Sequence, residues 1–344
     1  MKERLIWIDI AKGITILLVI IGHTIKTDTF LWRFIFSFHM PIFFIISGYL
    51  FKENTLKKLI KKNLKRMFVP YLGTSLIIVF IAVFAKMFLH HTFYSMPEDL
   101  SSLCISIIYG CGVNYPKFFT PIWMIGAIWF LLCLFFAEIF FAITIQLTSK
   151  LNIYIQATII VFLSFVGFFI GQYIFLPWNI DISLVALVFL YAGYMFKKKN
   201  IINLRVNTLV LILLIILWAT SVQLGAMDMA GRKYSNFIIS IIGAISASYI
   251  IIKFCKLISK YMLIDKYLST LGKETLVILC FHLLEMDFFP WQTSTKFLAY
   301  ANNMILLIIL KVIFAIIITI SVTKIPLLRK VYLIKYIIDC IFRR

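Results

Sequence analysis

Residues 9–24 read DIAKGITILLVIIGHT, an apolar run that carries an aspartate, a lysine and a histidine. An ionisable side chain at the centre of a bilayer costs about 2.5–3.5 kcal/mol on insertion scales, so its presence there calls for a functional explanation. Eleven steps of about 100° put Lys12 and His23 on one side of a helix, about 16 Å apart along its axis. Asp9, three positions before Lys12, shares that side and can neutralise it. The run therefore predicts a helix with an ion pair at one end and an imidazole at the other.

The rest of the chain has the composition of a membrane protein. Of its 344 residues, 62% are hydrophobic and 14% are charged, far from the average of globular domains. About 20 apolar residues in a helix cross roughly 30 Å of hydrocarbon. Ten segments of this kind are predicted to span the membrane: 5–24, 34–52, 69–89, 122–147, 153–176, 181–196, 205–224, 235–256, 270–288 and 303–323. We therefore expect an all-α integral membrane protein, with residues 1–344 forming one transmembrane domain and no separate soluble domain.

The formal net charge of +20 follows the membrane topology and does not require a nucleic-acid partner. With a cytoplasmic N-terminus, 23 of the 34 lysines and arginines fall in inner segments, six in outer segments and five within spans. Cytoplasmic loops of membrane proteins carry this excess of positive charge. The distribution predicts that both termini are cytoplasmic. Lysine, phenylalanine and isoleucine usage is typical of a low-GC bacterium, so we expect the bacterial cytoplasmic membrane.

A basic segment precedes the third predicted span. Residues 51–71 read FKENTLKKLIKKNLKRMFVPY, with leucines, isoleucine and lysines at helical spacing. One interpretation is an amphipathic helix on anionic lipid. The other is a binding site for the phosphates of a cytoplasmic ligand, formed by Lys62, Lys65 and Arg66, because cations over two turns can meet several anionic oxygens.

Several further polar residues interrupt apolar helices. His39 lies at the outer end of the second span, as His23 does in the first, and the loop between them is short enough to bring the two together. It can act on a substrate or serve helix packing. Glu138 in the fourth span and His282 and Glu285 in the ninth are functional candidates for the same energetic reason.

The outer segment 90–121 contains LSSLCISIIYG, which is apolar but too short to cross a bilayer. It predicts an interfacial or re-entrant helix. Cys104 and Cys111 share this segment, and their pairing is left open. The six cysteines show no zinc-type spacing, so no metal site is predicted.

Several motifs in order carry a family resemblance. They are IDIAKGITILLVIIGHT (8–24), FSFHMPIFFIISGYLF (36–51), KRMFVPY (65–71), AIWFLLCLFFAEI (127–139), LPWNIDISLVALVFLYAGYMFKK (176–198), MDMAGRKYSNF (227–237) and LGKETLVILCFHLL (271–284). Together they resemble the membrane acyltransferase-3 family, particularly its fucose 4-O-acetylase-like branch. A basic residue, ten intervening positions and a histidine is that family's signature, matched here by Lys12 and His23.

The resemblance implies an O-acetyltransferase that moves acetyl from cytoplasmic acetyl-CoA to a hydroxyl of a sugar, cell-surface polysaccharide or glycolipid on the outer side. Acetyl-CoA would be a co-substrate, with no permanently bound cofactor. Lys12 and His23 would be the active-site pair, and the basic segment with Lys62, Lys65 and Arg66 would bind the donor. Residues expected to support the site or bind the acceptor are His39, Trp129, Asp181, Asp228 and His282.

The chemistry of the polar helix agrees with that implication. A sugar hydroxyl is a weak nucleophile until a base takes its proton, and imidazole titrates near neutral pH, so His23 suits the general base. Lys12 can attract the donor or its thioester, with Asp9 setting its orientation. Many relatives have arginine where this chain has Lys12. Direct transfer and an acetyl-histidine relay both remain open, and a transporter or sensor of a small solute is the alternative function.

Overall fold

The computed structural model describes residues 5–89, 97, 99–116, 121–288 and 304–324, without the side chains of 262–266, 319, 322 and 323. The described chain is mostly helical. The predicted cytoplasmic location of the two termini concerns residues 1–4 and 325–344, which lie outside the described residues.

The helices follow the apolar runs of the sequence, because a helix satisfies every backbone polar group that lipid cannot. Helices α1 to α5 are Ile6–Thr24, Phe30–Phe36, Pro41–Leu50, Leu56–Asn63 and Val69–Phe84. Helices α6 to α10 are Leu100–Tyr109, Trp129–Leu147, Ile153–Tyr173, Ile180–Val185 and Leu187–Lys198. Helices α11 to α15 are Thr208–Leu224, Phe237–Ile258, Met262–Lys273, Thr275–Phe288 and Met304–Lys324.

Short irregular elements join these helices. Single 3₁₀ turns are Gly126–Ile128, Pro177–Asn179 and Ile201–Asn203, and π-helical turns are Leu64–Phe68 and Ala85–Leu89. Strands β1 (Met227–Asp228) and β2 (Lys233–Tyr234) pair antiparallel, with Met227 opposite Tyr234.

The described helices confirm a multi-pass membrane protein. Six of them are long and apolar enough to cross a bilayer: Ile6–Thr24, Phe30–Leu50, Leu56–Phe88, Gly126–Leu147, Ile153–Tyr173 and Phe237–Ile258. The predicted spans 181–196 and 270–288 are bent helix pairs, which raise the number to eight if each pair is one span. Segments 205–224 and 303–323 contain the shorter apolar helices Thr208–Leu224 and Met304–Ile318. Ten spans therefore stay a prediction.

The basic segment and the third span form one continuous helix, Leu56–Phe88, although the sequence predicts a separate span that begins at residue 69, next to Pro70. A proline inside an α-helix clashes with the carbonyl four residues earlier and lacks a donor. Here the π-helical turn Leu64–Phe68 precedes the proline, and the Val69 N–H donates to the Leu64 carbonyl five residues back. The wider turn accommodates the proline without ending the helix.

The chain forms two compact units, each assembled from separated stretches. The first unit contains Met1–Asn54, Ala137–Ile174 and Asp181–Thr275. The second contains Thr55–Phe136, Phe175–Ile180 and Leu276–Arg344. A single domain over the whole chain stays a prediction.

Glycines bring helix backbones into direct contact inside the first unit. A Cβ atom on Gly193 of α10 would lie 1.8 Å from the Ile45 carbonyl oxygen of α3. Between α1 and α13, a Cβ on Gly13 would lie 2.2 Å from the Leu268 oxygen, and one on Gly272 would lie 1.7 Å from the Asp9 oxygen. Small residues at helix contacts let backbones approach in this way. The position of α1 is therefore fixed by α13 at the level of its polar residues.

Candidate functional site

The polar residues of α1 lie at its two ends, as the sequence predicts. Asp9 is buried, Lys12 is half-buried, and His23 is exposed in the last turn. The Asp9 carbonyl is at the contact with Gly272, so α13 determines where the first turns of α1 lie. Apolar side chains of α1 such as Ile16 and Ile20 are buried on the same helix and hold it within the first unit.

His23 and His39 lie against one aromatic ring, that of Phe36. The ring centroid of Phe36 is 6.1 Å from that of His23, with the planes nearly perpendicular, and 4.4 Å from that of His39. Trp32 stacks on the same phenyl ring at 4.0 Å. The turn before α2 makes this possible, because the Thr29 side chain accepts from the Trp32 N–H and begins the helix. The structure thus places the two predicted histidines in one aromatic cluster of the first unit.

The contacts of His39 fix its tautomer. Its Nδ1 lies 3.0 Å from the Ile35 carbonyl oxygen, and the side chain is buried. A carbonyl oxygen can only accept, so Nδ1 carries the hydrogen and Nε2 is the basic nitrogen. The His39 ring is therefore held in one orientation.

Asp181 forms a buried bidentate ion pair with Arg232. Its Oδ2 is 2.8 Å from Arg232 Nε, its Oδ1 is 3.1 Å from Nη2, and only 1% and 3% of the two side chains are exposed. The Arg232 backbone has a φ of 54°, and its carbonyl accepts from the Gln172 side chain at 3.0 Å. Sequence reasoning selected Asp181 but missed its partner. Both carboxylate oxygens are occupied, so the pair attaches the β1–β2 turn to the helices of the first unit.

Asp228 lies in that same turn. Its Oδ1 accepts from the Gly231 N–H at 3.1 Å, and a Cβ on Gly231 would come within 2.5 Å of its Oδ2. Burial raises the pKa of the Asp228 carboxyl above its usual value, although backbone donors and Lys233 act in the opposite direction. The carboxyl closes the turn on itself.

The predicted donor-binding cations lie on the helix Leu56–Phe88 of the second unit. Lys62 and Arg66 are exposed and Lys65 is half-buried, while Leu59 and Met67 are buried on another side. Lys65 and Arg66 belong to the π-helical turn Leu64–Phe68. The amphipathic helix that the sequence predicts is confirmed.

Trp129 is the first residue of α7, and its side chain is packed in the interior of the second unit. Only 6% of its surface is exposed, and a Cβ on Gly112 would lie 2.6 Å from its ring. Its ring centroid is 6.2 Å from that of Phe130. The indole therefore fills the space against the backbone at Gly112 in the second unit.

His282 belongs to a buried charged cluster, which we call the Glu285 cluster, made of His282, Glu285 and Lys311. Glu285 Oε2 is 2.9 Å from His282 Nδ1, and its Oε1 is 3.1 Å from Lys311 Nζ. All three side chains are at most 7% exposed. A carboxylate in this position sets the tautomer of the imidazole, and the ammonium offsets its charge. Sequence reasoning found the first two residues, and a lysine within an apolar span was the available signal for the third.

Glu138 is buried as predicted and accepts a hydrogen bond from the Ser47 hydroxyl, linking α7 to α3 inside the first unit. Cys104 is a free thiol, so the structure does not join it to Cys111. Among the described residues, no three or more histidines, cysteines or carboxylates form a group suited to a metal ion.

The predicted site residues divide between the two units. The first unit contains Asp9, Lys12, His23, His39, Asp181 and Asp228. The second contains Lys62, Lys65, Arg66, Trp129 and His282.

Comparison with known families identifies the class of protein. Residues 5–324 match the acyltransferase-3 family, described as an acyltransferase domain. The match covers nearly the whole chain, so the protein belongs to this family. The resemblance found in the sequence is thereby confirmed at family level.

Among curated proteins, the chain is similar to nodulation protein NolL of Mesorhizobium japonicum (strain LMG 29417 / CECT 9101 / MAFF 303099). The two are 47% identical over 60 residues, which cover 14% of this chain and 16% of that protein. The similarity thus spans a small part of the relative's length. No solved structure matches this chain.

Proposed function

We propose that the protein is an O-acetyltransferase of the bacterial cytoplasmic membrane. It takes acetyl from cytoplasmic acetyl-CoA and transfers it to a hydroxyl of a sugar, cell-surface polysaccharide or glycolipid on the outer side. The acyltransferase-3 membership supports acyl transfer in a membrane, and the positive-inside distribution of the sequence supports the orientation. The fucose 4-O-acetylase-like branch is part of the same proposal.

The observation that carries the proposal is the layout of α1. One membrane-length helix has Asp9 and Lys12 in its first turns and an exposed imidazole, His23, in its last turn. An imidazole nitrogen that carries no hydrogen can accept a proton from a substrate hydroxyl, which is the role of a general base. The exposure of His23 leaves it accessible to a substrate. Lys12, about 16 Å away along the axis, is too far from His23 to share its proton transfer and is suited to attracting the donor.

The proposed reaction is a direct transfer. The acceptor hydroxyl oxygen attacks the thioester carbonyl carbon while His23 takes the hydroxyl proton. Negative charge develops on the carbonyl oxygen, the carbon–sulfur bond then breaks, and the CoA thiolate leaves and is protonated. The products are an acetyl ester and free CoA, so no oxidant or metal is needed. The positive charge of Lys12 attracts the anionic donor, and Asp9 orients the Lys12 side chain.

The other predicted residues bind the donor or hold the site residues in position. Lys62, Lys65 and Arg66 bind the phosphates of the donor, because clustered cations form charge-assisted hydrogen bonds with phosphate oxygens. His39 is a positioning residue for the aromatic cluster that includes Phe36. Asp181 and Asp228 support helices and turns of the first unit, and Trp129 and His282 support helices of the second.

The experiment is acetyl-CoA binding and turnover by the purified protein in detergent, with His23→Ala, Lys12→Met and the neighbouring control Thr24→Ala. We expect His23→Ala to bind acetyl-CoA normally and to lose about 10²–10⁴-fold in turnover, the usual size of general acid–base catalysis. Lys12→Met should chiefly weaken donor binding, and Thr24→Ala should behave as wild type. A wild-type protein that binds no acetyl-CoA would reject the donor and favour transport or sensing of a solute. Unchanged turnover in His23→Ala would reject the base.

A further inference from the structure

Asn63 is a fully buried amide in an otherwise apolar stripe. It ends α4, is 0% exposed, and lies between Leu59 and Met67, which are 4% and 1% exposed. Its chain neighbours Lys62 and Leu64 are exposed. The buried face of the helix Leu56–Phe88 therefore carries a carboxamide at a position where helical periodicity calls for an apolar side chain.

Neither the nitrogen nor the oxygen of that side chain has a hydrogen-bond partner in the structure described. A buried polar group left unsatisfied costs about 1–3 kcal/mol, and native proteins rarely retain one without a reason. A leucine at position 63 would continue the stripe without this cost. The amide is therefore suited to an occupant that offers both a donor and an acceptor.

The local backbone also marks this position. The π-helical turn Leu64–Phe68 begins at the next residue, and such turns inside α-helices are frequent at functional sites. Lys65 and Arg66 belong to the turn, and Lys62 precedes Asn63 directly. With Lys61, four cations thus lie within three residues of the buried amide.

We propose that Asn63 binds the two amides of the pantetheine arm of the acyl donor. The inference rests on the proposed function and extends it, because it adds a site for the part of the donor that phosphates do not reach. Pantetheine contains two secondary amides, and each offers one N–H and one carbonyl oxygen. A carboxamide can accept from the N–H of one of these amides and donate to the carbonyl oxygen of the other, which meets the unsatisfied oxygen and nitrogen of Asn63. Cations alone would recognise only the phosphate end of the donor.

The test separates the two ends of the donor by competition. Displacement of labelled acetyl-CoA is measured with pantetheine, which has the amides and no phosphate, and with 3′-phospho-ADP, which has phosphates and no amide. Asn63→Leu should weaken pantetheine binding about 5- to 30-fold, the size expected for two net hydrogen bonds, and leave 3′-phospho-ADP binding within about twofold. Lys65→Met should give the reverse pattern. Asn63→Asp, which keeps the shape and loses the N–H₂ donor, should also weaken pantetheine.

Thermal unfolding shows whether a variant loses binding because it is misfolded. Asn63→Leu should unfold at the wild-type temperature or above, because it removes an unsatisfied buried amide. Unchanged pantetheine binding in a stable Asn63→Leu protein would overturn the inference and assign the site to water. Equal weakening of both competitors would also overturn it. A wild-type protein that binds neither acetyl-CoA nor its fragments would instead reject the proposed function, a result that is visible before any variant is made.

Discussion

The contact between α1 and α13 makes a quantitative prediction for Gly272→Ala. The new Cβ would lie 1.7 Å from the Asp9 carbonyl oxygen, whereas real Cβ contacts are essentially never under 3.0 Å. The two backbones must therefore separate by about 1.3 Å (3.0 minus 1.7 Å), because a carbonyl inside a helix cannot rotate away. Overpacking of this kind costs about 1–3 kcal/mol. A gain of about 1 kcal/mol in helix propensity offsets part of that cost.

The displacement should reduce activity beyond its effect on stability. It occurs one turn from Lys12, and a misplacement of about 1 Å at a reacting group can cost 10²-fold in rate. We expect Gly272→Ala to lower the unfolding temperature by a few degrees, at roughly 2–4 °C per kcal/mol, and to lower kcat/KM for acetyl-CoA about 10- to 100-fold.

Gly193→Ala is the matched control for this experiment. Its Cβ would meet the Ile45 oxygen at 1.8 Å, a similar clash in which the nearest atoms belong to α3 and not to α1. It should lower the unfolding temperature similarly and leave kcat/KM within a few fold. Fluorescence-monitored unfolding and acetyl-CoA turnover measure both quantities. An unchanged unfolding temperature in Gly272→Ala would refute the close packing, and equal losses of activity in the two variants would refute the special role of α1.

Two further predictions concern polar contacts outside the proposed reaction. Arg232→Met leaves the buried Asp181 carboxylate uncompensated and should lower the free energy of unfolding by about 3–5 kcal/mol. The double variant Arg232→Met/Asp181→Leu should recover most of that loss in thermal unfolding. A double variant no more stable than Arg232→Met would contradict this account. Hydrogen bonds from the Ser101 and Ser102 hydroxyls hold the pKa of the exposed Asp99 at about 2, below its unfolded value. Its stabilising effect on the start of α6 is thus present above about pH 4 and is lost as pH falls toward 2. Amide hydrogen exchange in α6 should accelerate over that interval in the wild type and not in Asp99→Asn.

The arrangement of the polar residues of α1 could be predicted from the sequence. Asp9, Lys12 and His23 lie on one continuous helix, so the fixed rotation per residue determines their side and separation. The partners of other polar residues could not be read in this way. Arg232 is 51 positions from Asp181, and nothing local distinguishes it from the other cations of the chain. Likewise, helical periodicity places Asn63 between Leu59 and Met67, but only packing shows that this amide is fully buried.

The continuity of the third span shows the same limit. Pro70 is a proper sign of a helix start, but the π-helical turn before it lets the helix continue. The preferences of a single residue indicate which backbone geometries are possible at its position. Those preferences do not show which of the possible geometries the surrounding helices stabilise.

The sequence by itself determined that this is a helical membrane protein with an ionisable stripe on its first helix. Both follow from local physics, because lipid leaves backbone groups no other partners and helical periodicity is constant. Only the tertiary structure decided that Gly272 fixes α1, that Arg232 holds Asp181, that Lys311 completes the Glu285 cluster and that the Asn63 amide is buried. Those facts depend on which distant segments pack together, and in a chain with many similar apolar helices that choice is made by three-dimensional fit.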